Sequence, residues 1–316
     1  IGLSMGKLDR ERWQKDQEFF VNRVKELGGD VLTKNAGGDP ATQLKQCDEL
    51  LQKGVKVLVV MPCNSEAAAE IVSRAHKKSV KVISYDRLIS TADVDLYVTF
   101  NNVEVGKIQA SSIIEKAPHG NYLILKGDPG DNNSAMLYKG QMKVLKPFLA
   151  KGDIKIIQTA SCKKWSETEA YKITAGALKQ HKIDAIIASN DAIASGAIKA
   201  MTEMDLQGKI PISGQDADLM SCQYIAQGIQ TVTVYKPIKQ LAEFAAAQAV
   251  KACRGVPFDN TGKKVNNGRK NVPTIFLEPV PVTRETLIST IIKSGFHTKE
   301  EVYAEKKEEL IEEPHN

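Results

Sequence analysis

Short runs of apolar, β-rich residues alternate along this chain with longer segments whose apolar positions recur at helical spacing. The runs Ile1–Met5, Asp30–Lys34, Val57–Met61, Lys81–Ser84, Leu96–Thr99, Tyr122–Lys126, Ile154–Thr159, Ala185–Ala188, Ile210–Ser213, Thr231–Tyr235 and Thr274–Leu277 read as strands. Between them, Asp9–Leu27 carries Phe20, Val24 and Leu27 as one apolar stripe, and Gly28-Gly29 closes it. Helices are also expected over Pro40–Gln52, Ser65–Lys78, Val103–Lys116, Ala135–Leu149, Ser166–His181, Ala192–Glu203, Asp218–Gln227 and Pro237–Cys253. Strands that alternate with helices of ten to fifteen residues make βαβ units, hence parallel α/β sheets with right-handed crossovers.

Nearly a dozen strands overfill one open sheet, so two lobes are expected. The β-α pattern runs once from Ile1 to Thr99 and again from Tyr122 to Tyr235. One helix, a Gly/Asn/Lys-rich stretch, one strand and a helical tail then follow. The pattern predicts an N-terminal lobe of residues 1–102 plus 237–274 and a C-terminal lobe of 103–236 plus 275–316. Three crossings between them are expected near Asn101–Val105, Tyr235–Pro237 and Thr274–Pro279.

Composition narrows the function classes. The 316 residues carry 43 Lys+Arg against 38 Asp+Glu, a net +5 with no dense basic run, so nucleic-acid binding has no footprint here. Residues 299–316 hold seven Glu and three Lys, an acidic tail read as helical. No apolar stretch has membrane-spanning length. The five cysteines, Cys47, Cys63, Cys162, Cys222 and Cys253, are odd in number and never at CxxC spacing, which argues against a disulfide framework or a zinc site. Ile1-Gly2-Leu3-Ser4-Met5 reads as a strand already under way, so the sequence reads as trimmed of any leader.

In open α/β sheets, ligands bind beyond the carboxyl ends of the strands. There this sequence places Tyr85-Asp86-Arg87, Gly127-Asp128-Pro129-Gly130-Asp131-Asn132-Asn133, Ser189-Asn190-Asp191, Gly214-Gln215-Asp216-Ala217-Asp218 and Lys236-Pro237, with Arg10-Glu11-Arg12-Trp13 after the first strand. Taken singly these are turn formers or helix caps, with Ser134, Asp191 and Asp218 as cap candidates. Taken together they converge on one edge. The only two tryptophans, Trp13 and Trp165, each open a helix, one in each expected lobe. Carboxylates and amides accept from hydroxyls, Arg and Lys donate to hydroxyl or ring oxygens, and indoles suit a partly apolar ring. That combination fits a monosaccharide.

The segments Glu11-Arg12-Trp13-Gln14-Lys15-Asp16, Tyr85-Asp86-Arg87, Asp131-Asn132-Asn133, Gly140-Gln141-Met142-Lys143-Val144-Leu145-Lys146-Pro147, Ala188-Ser189-Asn190-Asp191, Ile212-Ser213-Gly214-Gln215-Asp216-Ala217-Asp218, Thr233-Val234-Tyr235-Lys236-Pro237 and Asn266-Asn267-Gly268 carry a resemblance. Over Ile1 to His297 the chain resembles periplasmic sugar-binding proteins of the ribose-binding type, and within them the D-xylose-binding branch. The resemblance implies a type I periplasmic-binding-protein fold, two Rossmann-like lobes on a three-stranded hinge. It implies sugar contacts at Arg12, Trp13, Asp86, Arg87, Asn133, Trp165, Asn190, Asp216 and Lys236. Trp13 and Trp165 would stack on the sugar, and Asp86 with Arg87, and Asp216 with Lys236, would bind hydroxyls. It further implies an extracytoplasmic protein, in the periplasm or anchored on the cell surface, with no cofactor. The partner would be an ABC transporter permease or, in a sensing alternative, the extracellular region of a membrane histidine kinase. The chain departs from the family pattern at Lys7-Leu8-Asp9-Arg10 and Ser161-Cys162-Lys163-Lys164-Trp165-Ser166.

Two rivals are weaker. The chain has no GxSxG, HExxH, P-loop or GxGxxG motif, so it is not expected to be an enzyme. His76, His119, His181, His297 and His315 fall away from strand ends and read mostly as surface positions. Asp86 and Asp216 as an acid/base pair would each have a cationic neighbour, Arg87 and Lys236, holding them ionised. A sugar-responsive repressor core shares the expected fold but needs an N-terminal helix-turn-helix; Ile1 starts at the first strand, and the trimming already inferred would have removed such a segment, so this rival stays open.

Overall fold

A computed structural model describes residues 1–304 of the chain. The elements in order are β1 (Gly2–Met5), α1 (Glu11–Glu26), β2 (Leu32–Asn35), α2 (Pro40–Gln52), β3 (Val57–Met61), α3 (Ala69–Lys77), β4 (Lys81–Tyr85), β5 (Leu96–Phe100), α4 (Asn102–Lys116), β6 (Gly120–Lys126), α5 (Asn132–Lys151), β7 (Ile154–Ser161), α6 (Glu167–Gln180), β8 (Ala185–Ala188), α7 (Asp191–Thr202), α8 (Leu219–Gln227), β9 (Thr233–Tyr235), α9 (Ile238–Cys253), β10 (Lys264–Asn266), β11 (Asn271–Leu277), β12 (Val280–Val282) and α10 (Lys299–Val302). A 3-10 turn at Lys163–Trp165 and a π-helical turn at Ile288–Ile292 complete them.

The first lobe is a seven-stranded sheet in the order β10-β11-β5-β4-β3-β1-β2. It is parallel except for the β10–β11 hairpin. Val57-Leu58-Val59-Val60-Met61 is buried at every position, as a parallel strand covered by helices on both faces must be. One of those helices is α9, which comes from far along the chain and lays Leu241, Ala242, Ala245, Ala246 and Ala249 into the core beside Phe20 and Val24 of α1. Its small alanines allow the two helices to approach closely, and Arg254 ties the ends by donating to the Leu27 carbonyl at 2.6 Å.

The second lobe has the parallel sheet β7-β6-β8. Residues 210–213, expected as a strand, contribute only two isolated bridges, Ile186 to Ile212 and Ser213 to Val232. Pro211 has no N–H to give to a ladder, so the pairing remains local. The antiparallel pair β9–β12 follows at the edge. Strands β10 and β12, three residues each, carry too short an apolar run to announce themselves in the sequence.

The chain passes between the lobes three times: at Asn101 after β5, at Lys236-Pro237 after β9, and at Glu278-Pro279 after β11. Strand β11 pairs with β5 as far as Leu277, so the first sheet extends three residues beyond the boundary placed at 274. Asn101 donates its backbone N–H to the Leu277 carbonyl at 3.1 Å, which brings the first and third crossings side by side. All five cysteines are free. No helix among the described residues is long and apolar enough to cross a membrane. Most of the acidic tail, and His315, lie outside the described residues.

Candidate ligand-binding site

The crevice between the lobes follows from strand order. In the first sheet the order reverses between β1 and β3, and α1 leaves β1 at that point. Arg12 and Trp13 therefore enter on the first turn of α1. Asp86 and Arg87 enter from the turn after β4. From the second lobe come Asp131 and Asn133 at the start of α5, Trp165 from the 3-10 turn, Asn190 before α7, and Asp216 from the loop after residues 210–213. Lys236 sits on the second crossing. All nine residues expected at the site line one cleft of about 450 Å³, part of it open to solvent.

Arg12 is the centre of this arrangement. It is buried and donates to Asp86 through Nη2 and to Asp216 through Nη1 at 2.6 Å. One guanidinium thus holds a carboxylate from each lobe. Desolvation works against its charge, but Asp86, Asp216 and Asp16 outweigh it and push its pKa above the usual arginine range. Asp216 is desolvated too, yet Arg12 and then Lys236 bring its carboxyl below the ordinary aspartate value. Lys236 is buried beside Asp216 at 3.8 Å and over the Phe100 ring at 5.7 Å. Burial and the Arg12 charge lower its pKa, and Asp216, Asp86 and Asp131 counter them only in part.

Lys236 does meet Asp216, as expected, but the other charge partners differ from the sequence expectation. The cation paired with Asp86 is Arg12, not Arg87; Arg87 reaches across to Asp131 at 2.8 Å. The principal partner of Asp216 is Arg12, with Lys236 further away. The chain neighbour of a carboxylate on a turn points away from it, so sequence adjacency was a poor guide to pairing. Asn133 joins the lobes as well, donating to the Asp86 carbonyl and carboxylate at 3.2 Å each and accepting from Asn102 at 3.0 Å.

The two indoles are held differently. The Trp13 ring has the Arg12 guanidinium 4.2 Å and the Arg87 guanidinium 5.5 Å from its centroid, cation–π contacts made without backbone irregularity. Trp165 has φ 57° and follows Lys164 at φ 56°, both in the left-handed region that non-glycine residues rarely occupy. Its indole N–H donates to Asp131 at 3.2 Å. Its ring lies on the backbone of Gly127, where a Cβ would stand 2.3 Å from the indole. Asp86 (φ 58°), Asp216 (φ 101°) and Ala217 (φ 56°) are also left-handed. Such strain persists only where surrounding structure fixes it, and here it gathers at the cleft.

The caps fall one position from expectation in one case and three in another, and change role in the third. Asn190, not Asp191, caps α7 through the Ile193 N–H, and Asp131, not Ser134, caps α5 through the Asn133 N–H. Asp218 occupies the cap position of α8 without a side-chain cap bond and lines the cleft instead. Burial and the nearby Asp216 charge raise its pKa to about 6. Asp191 is buried and fixes the loop before α8. It accepts from the Asp218 N–H at 2.9 Å, and Thr233 Oγ1 lies 2.9 Å from it. Gly214 leaves it room, since a Cβ there would stand 2.0 Å from its carboxylate.

Lys7, Arg10, Asp131, Gln215 and Asp218 also line the cleft and were not among the residues singled out. Four of them stand in runs already noted at strand ends, so proximity to a named residue was the available signal. Arg10 donates to the Trp165 carbonyl at 3.0 Å and is one more tie between lobes. His297 is buried, against the surface reading, with Nε2 2.8 Å from the Ala217 carbonyl. Among the described residues no cluster of His, Cys, Asp and Glu has the geometry to hold a metal ion.

Comparison with known proteins agrees with this geometry. The family described as "Periplasmic binding protein domain" matches residues 1–256. The D-xylose-binding periplasmic protein of Haemophilus influenzae is 45% identical over 305 residues, covering 96% of this chain and 92% of that protein. The protein of the same description from Escherichia coli is 42% identical over 304 residues with the same coverage. Among solved structures, an ABC transporter solute binding protein from Clostridium phytofermentans with bound β-D-glucose superposes with a TM-score of 0.88 at 29% identity, covering 95% of this chain and 99% of that one. With two α/β lobes, three crossings and a polar cleft between them, the chain belongs to the periplasmic binding protein family and has its type I fold.

Proposed function

We propose that this chain is an extracytoplasmic receptor for a monosaccharide, D-xylose, which closes its lobes on the sugar and delivers it to an ABC transporter permease. The observation that carries this reading is the content of the cleft. Carboxylates, guanidiniums, two lysines, three amides and two indoles converge there from both lobes. Hydroxyls of a pyranose present donors and acceptors around a ring whose C–H faces are apolar, and this set answers both. The identity to proteins described as D-xylose-binding supports the pentose over other sugars. In this reading Arg12, Asp86, Arg87, Asn133, Asn190, Asp216 and Lys236 bind hydroxyl and ring oxygens, and Trp13 and Trp165 stack on the ring. Both lobes touch the ligand only when closed, so its binding energy favours the closed state.

Calorimetry of the purified chain with D-xylose, D-ribose, L-arabinose, D-glucose and D-galactose tests the ligand. D-Xylose is expected to bind tightest, and a hexose preferred over every pentose would overturn the assignment. Size-exclusion chromatography with candidate membrane partners tests delivery. Sugar-dependent coelution with the extracellular region of a histidine kinase would replace transport by sensing.

A further inference from the structure

Arg12 has three edges, and two of them are accounted for by Asp86 and Asp216. The third, Nε, points to Asp16, one turn along α1, whose Oδ2 lies 3.5 Å away. Both atoms are buried and neither makes a hydrogen bond among the described residues, so what joins them is the charge attraction of a close ion pair. The other oxygen of Asp16 accepts the hydroxyl of Tyr85, from the end of β4. Asp16 lies outside the cleft lining and is 1% exposed, so a ligand in the cleft does not meet it. A buried carboxylate whose free oxygen faces only the Nε of a cleft arginine has no role in packing that an amide or a leucine would not fill at lower desolvation cost.

We infer that Asp16, itself clamped by Tyr85, is a positioning residue that fixes the rotation of the Arg12 guanidinium so that both terminal nitrogens face the cleft. The inference rests on the sugar-binding reading, since it gives Arg12 its task there. A guanidinium is a rigid planar fork, so holding Nε on one side sets the directions of Nη1 and Nη2 together. Without Asp16 the side chain is free to turn about its last bond and meet Asp86 or Asp216 in other ways. The groups that face Asp16 are Arg12 from its own helix, Tyr85 and Asp86 from β4 and the turn after it, and Asp216 from the second lobe. Burial raises its pKa to about 7, and Arg12 and Tyr85 offset that rise only in part. Its hold on Arg12 is therefore strongest above neutral pH, where it is ionised.

Sugar affinity of the parent chain and of Asp16→Asn, measured by calorimetry at pH 6 and pH 8, tests the inference. The parent is expected to bind more tightly at pH 8 than Asp16→Asn by about tenfold, since removing one charge of a buried ion pair loosens its partner. The gap is expected to shrink at pH 6, where Asp16 is protonated. Asp218 also titrates in this range, but it is present in both proteins and drops out of the difference. A folded Asp16→Asn with the parent's affinity, or with a loss equal at both pH values, would overturn the proposal. Should Asp16→Asn fail to fold, Tyr85→Phe removes only the clamp and is expected to lose affinity in the same pH-dependent way; no loss there would overturn it too. The Arg12 Nε–H resonance, followed by NMR without sugar, separates this from the ligand assignment. It is expected to be protected from exchange in the parent and to lose that protection in Asp16→Asn. A parent that binds none of the five sugars would refute the sugar reading, while this signal would still report whether Asp16 holds Arg12.

Discussion

The two lobes bring an indole to the same cleft by opposite means. In the first lobe Trp13 rides on the opening turn of a regular helix, and its neighbours Arg12 and Asp16 face their partners because helical spacing puts them there. In the second lobe Trp165 depends on two consecutive left-handed residues and on the missing side chain of Gly127. The same contrast holds for the carboxylates. Asp216 and Ala217 are left-handed, and their loop is held by Asp191, Thr233 and His297. The first lobe has one such residue at the cleft, Asp86. One wall is therefore built from secondary structure and charge, the other from strained turns that packing must hold.

The comparison breaks most sharply at Asp216, the carboxylate by which the strained wall meets the Arg12 guanidinium of the helical wall. Asp216→Ala leaves Arg12 short of a partner and Lys236 without its nearest carboxylate. A loss of at least ~3 kcal/mol in sugar binding is expected, about a hundredfold or more, since the stranded charges remain buried. Asp216→Asn, which keeps shape and one acceptor, should cost less. Calorimetry with thermal unfolding on the same sample checks it; reduced melting temperature with native affinity would make Asp216 a structural residue only.

Gly127→Ala probes the strained wall alone. Its added methyl has to displace the Trp165 ring, and overpacking of this kind costs ~1–3 kcal/mol. Sugar affinity should fall by about tenfold or more while Trp13 is untouched, with the change visible in tryptophan fluorescence. Unchanged affinity and emission would show that the indole has room to move without consequence.

How much of this was legible beforehand follows the same division. Strands β3 and β8 and helix α2 were bounded to the residue, because continuous apolar runs and a Pro at the first helical position are local signals. All nine expected residues reach the cleft, because strand ends in a parallel sheet must meet there. Pairing was not legible: Asp86 with Arg12, or Arg87 with Asp131, links residues far apart in sequence through turns whose direction no local pattern states. Asp191 read as a cap because a buried anchor and a capping aspartate look alike one position from a helix start. His297 read as surface because its burial depends on the remote Ala217 carbonyl.

A smaller effect sharpens the account of the helical wall. Asp16 has a folded pKa near 7, above its unfolded value near 4, so the folded state binds the extra proton between those limits. Its contribution is therefore fully present below about pH 4 and is lost as pH rises through about 7. His297, whose pKa burial lowers, works in the opposite direction, its contribution being lost as pH falls below the ordinary histidine range. The difference between proteins isolates Asp16: the melting temperature of Asp16→Asn relative to the parent should be higher at pH 8 than at pH 5. A constant difference would mean that Asp16 does not titrate there. The smallest effect lies outside both walls. Lys182 pairs with Asp184 at 2.8 Å but is well exposed, so Lys182→Ala should change stability by less than ~0.5 kcal/mol and sugar affinity not at all.

The return of α9 and β11 to the first lobe has a consequence for the order in which the chain can acquire its structure. Tyr97 pairs with Thr274, and Leu27 with Arg254, so the first lobe is closed by residues that a ribosome adds long after the strands they complete. The parallel sheet of the second lobe, residues 120–188, needs no such wait. During synthesis from the N-terminus, the seven-stranded sheet stays open at its β5 edge until residue 277 has emerged. Long-range pairings of this kind are slow to form. The first lobe of a nascent chain thus remains incompletely folded until β11 is made, and the helical wall of the cleft is settled only after the second lobe's parallel sheet has its strands.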